Sequence, residues 1–206
     1  MTQTDPASPQ IAIEPNRLDG ILAFLQATEQ LKDTIRSGST RKGRPESTAE
    51  HSWRLALMAL LFQEELAGID MLRLLKLTIV HDLGEAISGD IPAPLQKPDD
   101  DRPARERRDF VTLCAPLPDD IASEMLALFD EYVAAETPEA RLAKGFDKLE
   151  TMLQHVLMPL QNAAFYDFNL TYGRDRTDGT ALTRQIREKV DALTQALLDK
   201  ATRLTG

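Results

Sequence analysis

The run Leu72-Arg73-Leu74-Leu75-Lys76-Leu77-Thr78-Ile79-Val80 leads without a break into His81-Asp82-Leu83-Gly84-Glu85. Leu72, Leu75, Ile79 and Val80 recur at the spacing of one helix face, Asp70 suits an opening cap, and Gly89 with Pro92 and Pro94 breaks the pattern. The stretch predicts a helix over this segment. On it His81 and Glu85 stand four residues apart and Asp82 and Glu85 three apart, so three ionisable groups share one flank within a turn. Carboxylates beside an apolar stripe are costly to bury unless something positive compensates.

The same periodicity extends outward in both directions. Leu18, Ile21, Leu22, Leu25 and Ile35 trace a stripe that ends before Gly38. Ser47 and Glu50 form a capping box that opens a second helix, running to about Gly68. Asp99 to Asp101 suit the positive N-terminal end of a helix around 102–114. Pro118 with Asp119 and Asp120 opens another, whose inner face carries Ile121, Met125, Leu128 and Tyr132. Pro138 and Glu139 open the next, through Leu142, Phe146, Leu149, Met152, Leu153 and Val156, and a last helix covers 181–204. Strand signals are almost absent, no internal repeat is present, and 163–179 reads as a loop or short turn. The expectation is one all-α domain over residues 16–206, a helical bundle, behind a flexible N-terminal tail at 1–15.

Composition narrows the function. The 206 residues are 42% hydrophobic and 28% charged, ordinary for a soluble globular domain, with a net charge of −9. An acidic chain argues against binding a nucleic-acid polymer, which needs many phosphate neutralisers on one face. The longest apolar run, Leu55 to Phe62, is far short of the ~20 residues of a membrane span. MTQTDPASPQ has neither a basic nor an apolar region of the kind a signal peptide needs. A single cysteine, Cys114, gives no disulfide framework and suits a reducing cytoplasm.

Two more residues stand out from their apolar surroundings. His51 follows the capping box directly, and Asp147 lies at the border of an apolar face, next to Lys148. Taken singly, a capped helix histidine, an adjacent His-Asp pair and a salt-bridged aspartate are all ordinary structural residues. Taken together, two imidazoles and two carboxylates on three helices suggest a divalent-metal site in a bundle, open to water rather than closed.

Glu46-Ser47-Thr48-Ala49-Glu50-His51-Ser52-Trp53-Arg54, His81-Asp82-Leu83-Gly84-Glu85-Ala86, Gly89-Asp90-Ile91-Pro92 and Asp147-Lys148-Leu149, in that order, resemble the HD-domain metal-dependent phosphohydrolases. The likeness is strongest to the branch that contains the 5'-deoxynucleotidases and runs from about residue 18 to 160. The resemblance implies an HD-domain helical bundle in which His51, His81, Asp82 and Asp147 hold one divalent ion, usually cobalt, manganese or nickel and sometimes magnesium or zinc. It implies that Glu85 handles the attacking water, that Asp90 lies near the sugar and reaction centre, and that Arg36 holds the phosphate. Relatives are usually homodimers, and the amphipathic segments 119–136 and 181–204 offer apolar surface for pairing. One departure is plain. Family members commonly carry a tryptophan shortly after that arginine, whereas this chain has Ser37-Gly38-Ser39-Thr40, and its one tryptophan, Trp53, reads as a core residue.

The chemistry accounts for the residue types. A phosphomonoester dianion repels hydroxide, and a bound cation both lowers the pKa of water and offsets charge on the phosphoryl oxygens. Arg36 to Pro45 holds Arg36, Arg41, Lys42 and Arg44 without an acid, a local positive charge suited to a small anionic substrate. No histidine lies between Leu83 and Phe146, so a binuclear site of the kind found in di-iron oxygenases and cyclic-dinucleotide phosphodiesterases on this scaffold is disfavoured. His155, eight residues past Asp147 and ~12 Å along a helix, is a packing residue on this reading. The expected activity is removal of the 5'-phosphate from (deoxy)nucleoside monophosphates. The rivals are a phosphatase for another small phosphorylated metabolite and a metal-binding regulatory domain without turnover.

Overall fold

Helix starts are fixed where a side chain takes up backbone N–H groups that the helix cannot satisfy itself. The computed structural model describes residues 12–91 and 101–205. In it Glu14 accepts from Asn16 and Arg17 N–H at the head of α1 (Pro15–Thr28). Ser47 and Glu50 close the capping box of α2 (Thr48–Leu61), each side chain accepting from the other residue's backbone N–H. Asp70 caps α3 (Met71–Val80), which a turn joins to the short α4 (Glu85–Ser88). α5 (Arg102–Cys114) and α6 (Asp119–Ala134) follow, the latter with Asp119 and Asp120 in its first turn. Thr137 caps α7 (Pro138–His155) and Asn162 caps α8 (Ala163–Thr171), before α9 (Arg174–Thr177) and α10 (Ala181–Thr205). The all-α reading stands. Residues 1–11 of the expected tail, together with Pro92, Pro94 and Asp99, lie outside the described residues.

Five readings need correction. The first stripe does not run to Ile35. α1 stops at Thr28, a 3-10 turn spans Glu29–Lys32, and an antiparallel hairpin of β1 (Ile35–Ser39) and β2 (Pro45–Ser47) follows, with a bulge in its register. Ile35 is exposed and never belonged to a core face. Gly43, at φ +85°, allows the tight reversal in which Thr40 N–H donates to Arg44 O at 2.7 Å. The second helix ends at Leu61, and a 3-10 turn over Gln63–Glu65 carries the chain on toward Gly68. The third ends at Val80, where tighter bonds from Leu83 N–H to Val80 O and from Glu85 N–H to Asp82 O replace the helical pattern; Gly84 in this turn passes close to α5, where a Cβ would stand 3.0 Å from the Glu106 carbonyl. Residues 163–179 form α8 and α9, which bury Tyr166, Asn169 and Thr177. Trp53 is 66% exposed, since α2 turns His51, Leu55, Met58 and Ala59 inward instead.

α7 is the central element. Ala140, Leu142, Phe146, Leu149 and Met152 are buried on several sides of it, and it packs against α2, α3, α6, α9 and α10. The C-terminal segment 163–205 is tied together by Arg187, the largest fully buried side chain among the described residues. Its guanidinium donates to Asn169 O, Leu170 O and Tyr172 O, at 3.0, 2.8 and 2.7 Å, and pairs with Asp191. Arg187→Met removes these buried bonds, leaving Asp191 and Leu170 O to Arg174 alone, and should lower the urea-unfolding free energy, followed by circular dichroism, by roughly 3–5 kcal/mol.

Arg44, followed by the Ser47 N–H, holds the Glu50 carboxyl at about 2, below its ordinary 4.5. A depressed folded-state value means that the Glu50 contribution is complete above the unfolded value and is lost as pH falls toward about 2. Glu50→Gln should therefore melt below the wild type at neutral pH, and the gap should close on acidification between about pH 5 and about pH 2.

Candidate metal centre

Three elements bring the ionisable side chains together. His51 sits in the first turn of α2 directly behind the capping box, His81 closes α3, and Asp147 occupies the middle of α7. All three are buried, and one donor atom from each lies within 4.8 Å of the others. Each imidazole is tied at its far nitrogen: His51 Nδ1 to the Glu150 carboxylate, and His81 Nδ1 to Thr78 O at 3.0 Å. Neither Nε2 has a hydrogen-bond partner, although both are buried. Asp147 Oδ2 accepts from the Tyr132 hydroxyl at 2.9 Å and from Lys148 Nζ at 3.0 Å, while Oδ1 lies 3.3 Å from His51 Nε2. Buried polar atoms are almost always satisfied, so two orphaned imidazole nitrogens facing a carboxylate fit a cation. Nitrogen and oxygen donors of this kind suit borderline divalent ions.

The other expected site residues surround this cluster. Asp82, in the turn after α3, places Oδ2 2.9 Å from His81 Nε2 and 3.8 Å from His51 Nε2, and stands outside the tight trio. Arg36, on β1, is turned onto Asp82 through Nη1 at 2.9 Å and reaches Thr151 Oγ1 at 3.3 Å through Nη2. Glu85, first in α4, is buried and accepts from Thr48 Oγ1 at 2.9 Å. Asp90 follows Gly89 at the end of α4, within charge reach of Arg36, Asp82 and Arg102.

Electrostatics separate the acids. Burial, and then the Asp82 and Asp90 charges, push the Glu85 carboxyl up to about 9. Burial also raises Asp90, against the opposing pull of Arg36. For Asp147 burial is outweighed by Lys148 and His51, and for Asp82 by His81 and Arg36, so both stay ionised well below the ordinary carboxylate range. Burial and Arg36 oppose a charge on His51, but Glu150 and Asp147 prevail and raise it to about 9. Burial and the Asp147 charge keep Tyr132 a neutral donor.

Sequence reasoning passed over several residues that the fold places here. Glu150 lies one turn beyond Asp147, in the same apolar run of α7, and is 0% exposed. It carries the signal that singled out Asp147, a carboxylate among core positions. Arg54 Nε donates to it at 2.5 Å. Tyr132 was expected on an inner helix face, but nothing in its spacing announced the hydroxyl contact. Arg102, at the head of α5, pairs with Glu106 and lies within charge reach of Asp82 and Glu85. His155 is buried against Phe165, with Nδ1 3.0 Å from Asn169 Oδ1, and takes no part in the cluster.

Comparison with known proteins agrees with this geometry. The HD domain family model matches residues 28–187. The 5'-deoxynucleotidase HDDC2 of Bos taurus is 33% identical over 150 residues, covering 72% of this chain and 72% of that protein. The 5'-deoxynucleotidase hdd1 of Schizosaccharomyces pombe is 34% identical over 140 residues, covering 65% and 70%. A crystal structure of a predicted metal-dependent phosphohydrolase from Magnetospirillum magnetotacticum MS-1 superposes with a TM-score of 0.67 at 29% identity, over 91% of this chain and 96% of that one. A helical bundle that sets two imidazoles of α2 and α3 against an aspartate of α7, matched along most of its length by these relatives, belongs to the HD domain family.

Proposed function

We propose that this chain is a metal-dependent phosphohydrolase that removes the 5'-phosphate of (deoxy)nucleoside monophosphates. The observation that carries the reading is the pair of buried Nε2 atoms of His51 and His81, neither hydrogen-bonded, facing the carboxylates of Asp147 and Asp82. The relatives named as 5'-deoxynucleotidases supply the substrate class. His51, His81 and Asp147 would hold one divalent ion with Asp82 as the fourth donor, and cobalt, manganese or nickel suits the set better than magnesium or zinc. When bound, that ion lowers the pKa of water at the site and offsets charge on the phosphoryl oxygens.

The chain's own residues do the rest. Glu85 is the proton carrier: Thr48 fixes Oε2, which leaves Oε1 without a protein partner among the described residues. Burial and the neighbouring acids push its carboxyl up to about 9, so that it can hold a proton beside the site, and a bound cation would favour release of that proton. Arg36 swings from Asp82 to the incoming phosphate, which exchanges one charge-assisted pair for another. Asp90, beside the same arginine, faces the sugar side. Residues 16–206 act as one HD domain. The protein works in the cytoplasm as a homodimer, a reading supported by its single, buried cysteine and by Leu193 and Leu204, exposed on α10. Among the described residues no helix is long and apolar enough to cross a membrane.

A second reading, hydrolysis of another small phosphorylated metabolite, is favoured by one observation. The strand after Arg36 carries no aromatic side chain, and Trp53 is too exposed on the outer face of α2 to line the pocket.

The direct test is phosphate release from a panel of 5'-ribo- and 5'-deoxyribonucleoside monophosphates, using chelator-stripped protein resupplied with cobalt, manganese, nickel, magnesium or zinc. Stripping should abolish turnover, cobalt or manganese should restore it, deoxynucleotides should be preferred, and Asp82→Asn should remain at background. Metal uptake with no turnover on any nucleotide would sink the nucleotidase reading. Arg36→Met should raise KM about 10- to 100-fold, the worth of a charged hydrogen bond, while the metal content stays at the wild-type value.

A further inference from the structure

His81 and His51 are oriented in different ways. His81 Nδ1 meets a backbone carbonyl, Thr78 O, which any sequence would supply. His51 Nδ1 meets the carboxylate of Glu150, a fully buried side chain from another helix, with Glu150 Oε2 on the imidazole and Oε1 on Arg54. Arg54 grips that second oxygen with both Nε and Nη2, and its Nη2 also reaches the Glu150 carbonyl at 3.3 Å. A carboxylate cannot donate, so Nδ1 must carry the hydrogen, and in the neutral ring that binds a metal the lone pair is left on Nε2, the nitrogen turned toward His81 and Asp147. Arg54 comes from the same helix as His51, one turn on, and thereby locks carboxylate and imidazole to one frame.

We propose that Glu150, clamped by Arg54, is a positioning residue that fixes the tautomer and ring orientation of His51 for metal binding. The inference rests on the metal reading above and extends it to a pair of residues that touch neither substrate nor metal. It makes a chemically specific prediction for Glu150→Gln, which preserves size. An amide has one accepting and one donating end, and the two donors of Arg54 demand the accepting end. The NH2 group is then forced onto His51 Nδ1, which must accept, and the hydrogen moves to Nε2, where it blocks the metal. Removing Arg54 frees the amide to turn round and accept from Nδ1 again.

Cobalt affinity, measured by competition with a chromophoric chelator, should fall about 10- to 100-fold in Glu150→Gln. The double variant Arg54→Met with Glu150→Gln should recover to within a few-fold of Arg54→Met alone. Zinc-loaded protein labelled with 15N-histidine should show a strongly downfield His51 Nδ1 proton in the wild type that Glu150→Gln loses. Thermal melts of all variants establish that each is folded. Wild-type affinity in Glu150→Gln, or a loss that removal of Arg54 does not reverse, would overturn the proposal, since a residue that merely packs has no reason to be rescued by losing its partner. A wild-type protein that takes up neither cobalt nor zinc sinks the metal reading itself, and the role of Glu150 with it.

Discussion

Carboxylates buried in a helical core must each be met by a cation or by hydrogen-bond donors, because the desolvation cost runs to several kcal/mol per charge. The arrangement of this bundle follows from that requirement. Asp147 and Glu150 occupy neighbouring turns of α7, the most enclosed helix, and several of the elements packed against it contribute to their neutralisation. α2 brings His51 and Arg54, α6 brings the Tyr132 hydroxyl, α7 itself supplies Lys148, and β1 adds Arg36 next to Asp82. The apolar contacts around Phe146 and Leu149 give the bundle its cohesion, and the polar set determines which helices stand next to which.

That division explains what could be read from the sequence. Helix starts were legible because their caps are local: Ser47 with Glu50, Asp70, and Pro118 before two aspartates each act within one turn. The helical class, and the unusual character of His51, His81 and Asp147, were legible for the same reason, since a charged residue inside an apolar period is visible over a few positions. The hairpin at 35–47 was missed because Ile35 falls two heptads from Ile21 by coincidence, and the reversal at Gly43 is what distinguishes a strand there. The segment 163–179 looked unstructured because its order comes from Arg187, a distant side chain that satisfies its carbonyls. Glu150 escaped notice because its partner is nearly a hundred residues away. No spacing rule links it to His51.

The turn at His81 to Gly84 shows how a motif can be legible and its geometry not. A continuous helix would place His81, Asp82 and Glu85 on one flank, but the chain leaves the helix at Val80 and re-enters it at Glu85. Tightened bonds at Leu83, Glu85 and Ala86 mark the break, and α5 passes close by at Gly84. The break carries Asp82 out toward Arg36 and sets Glu85 against Thr48 in a separate compartment of the pocket. On the function proposed above, one short peptide would serve both the cation side and the proton side of the site.

The exposed position of Trp53 has an optical consequence. It is the sole indole of the chain, already in water in the folded state and two residues beyond His51 on α2. Its emission changes little when the bundle melts and so is a poor gauge of global unfolding. The same indole stands two residues from His51 on α2, and a paramagnetic ion such as cobalt or manganese held at the cluster would quench its fluorescence where a diamagnetic one would not. The protein thus carries its own light-emitting probe of which kind of ion has entered the site.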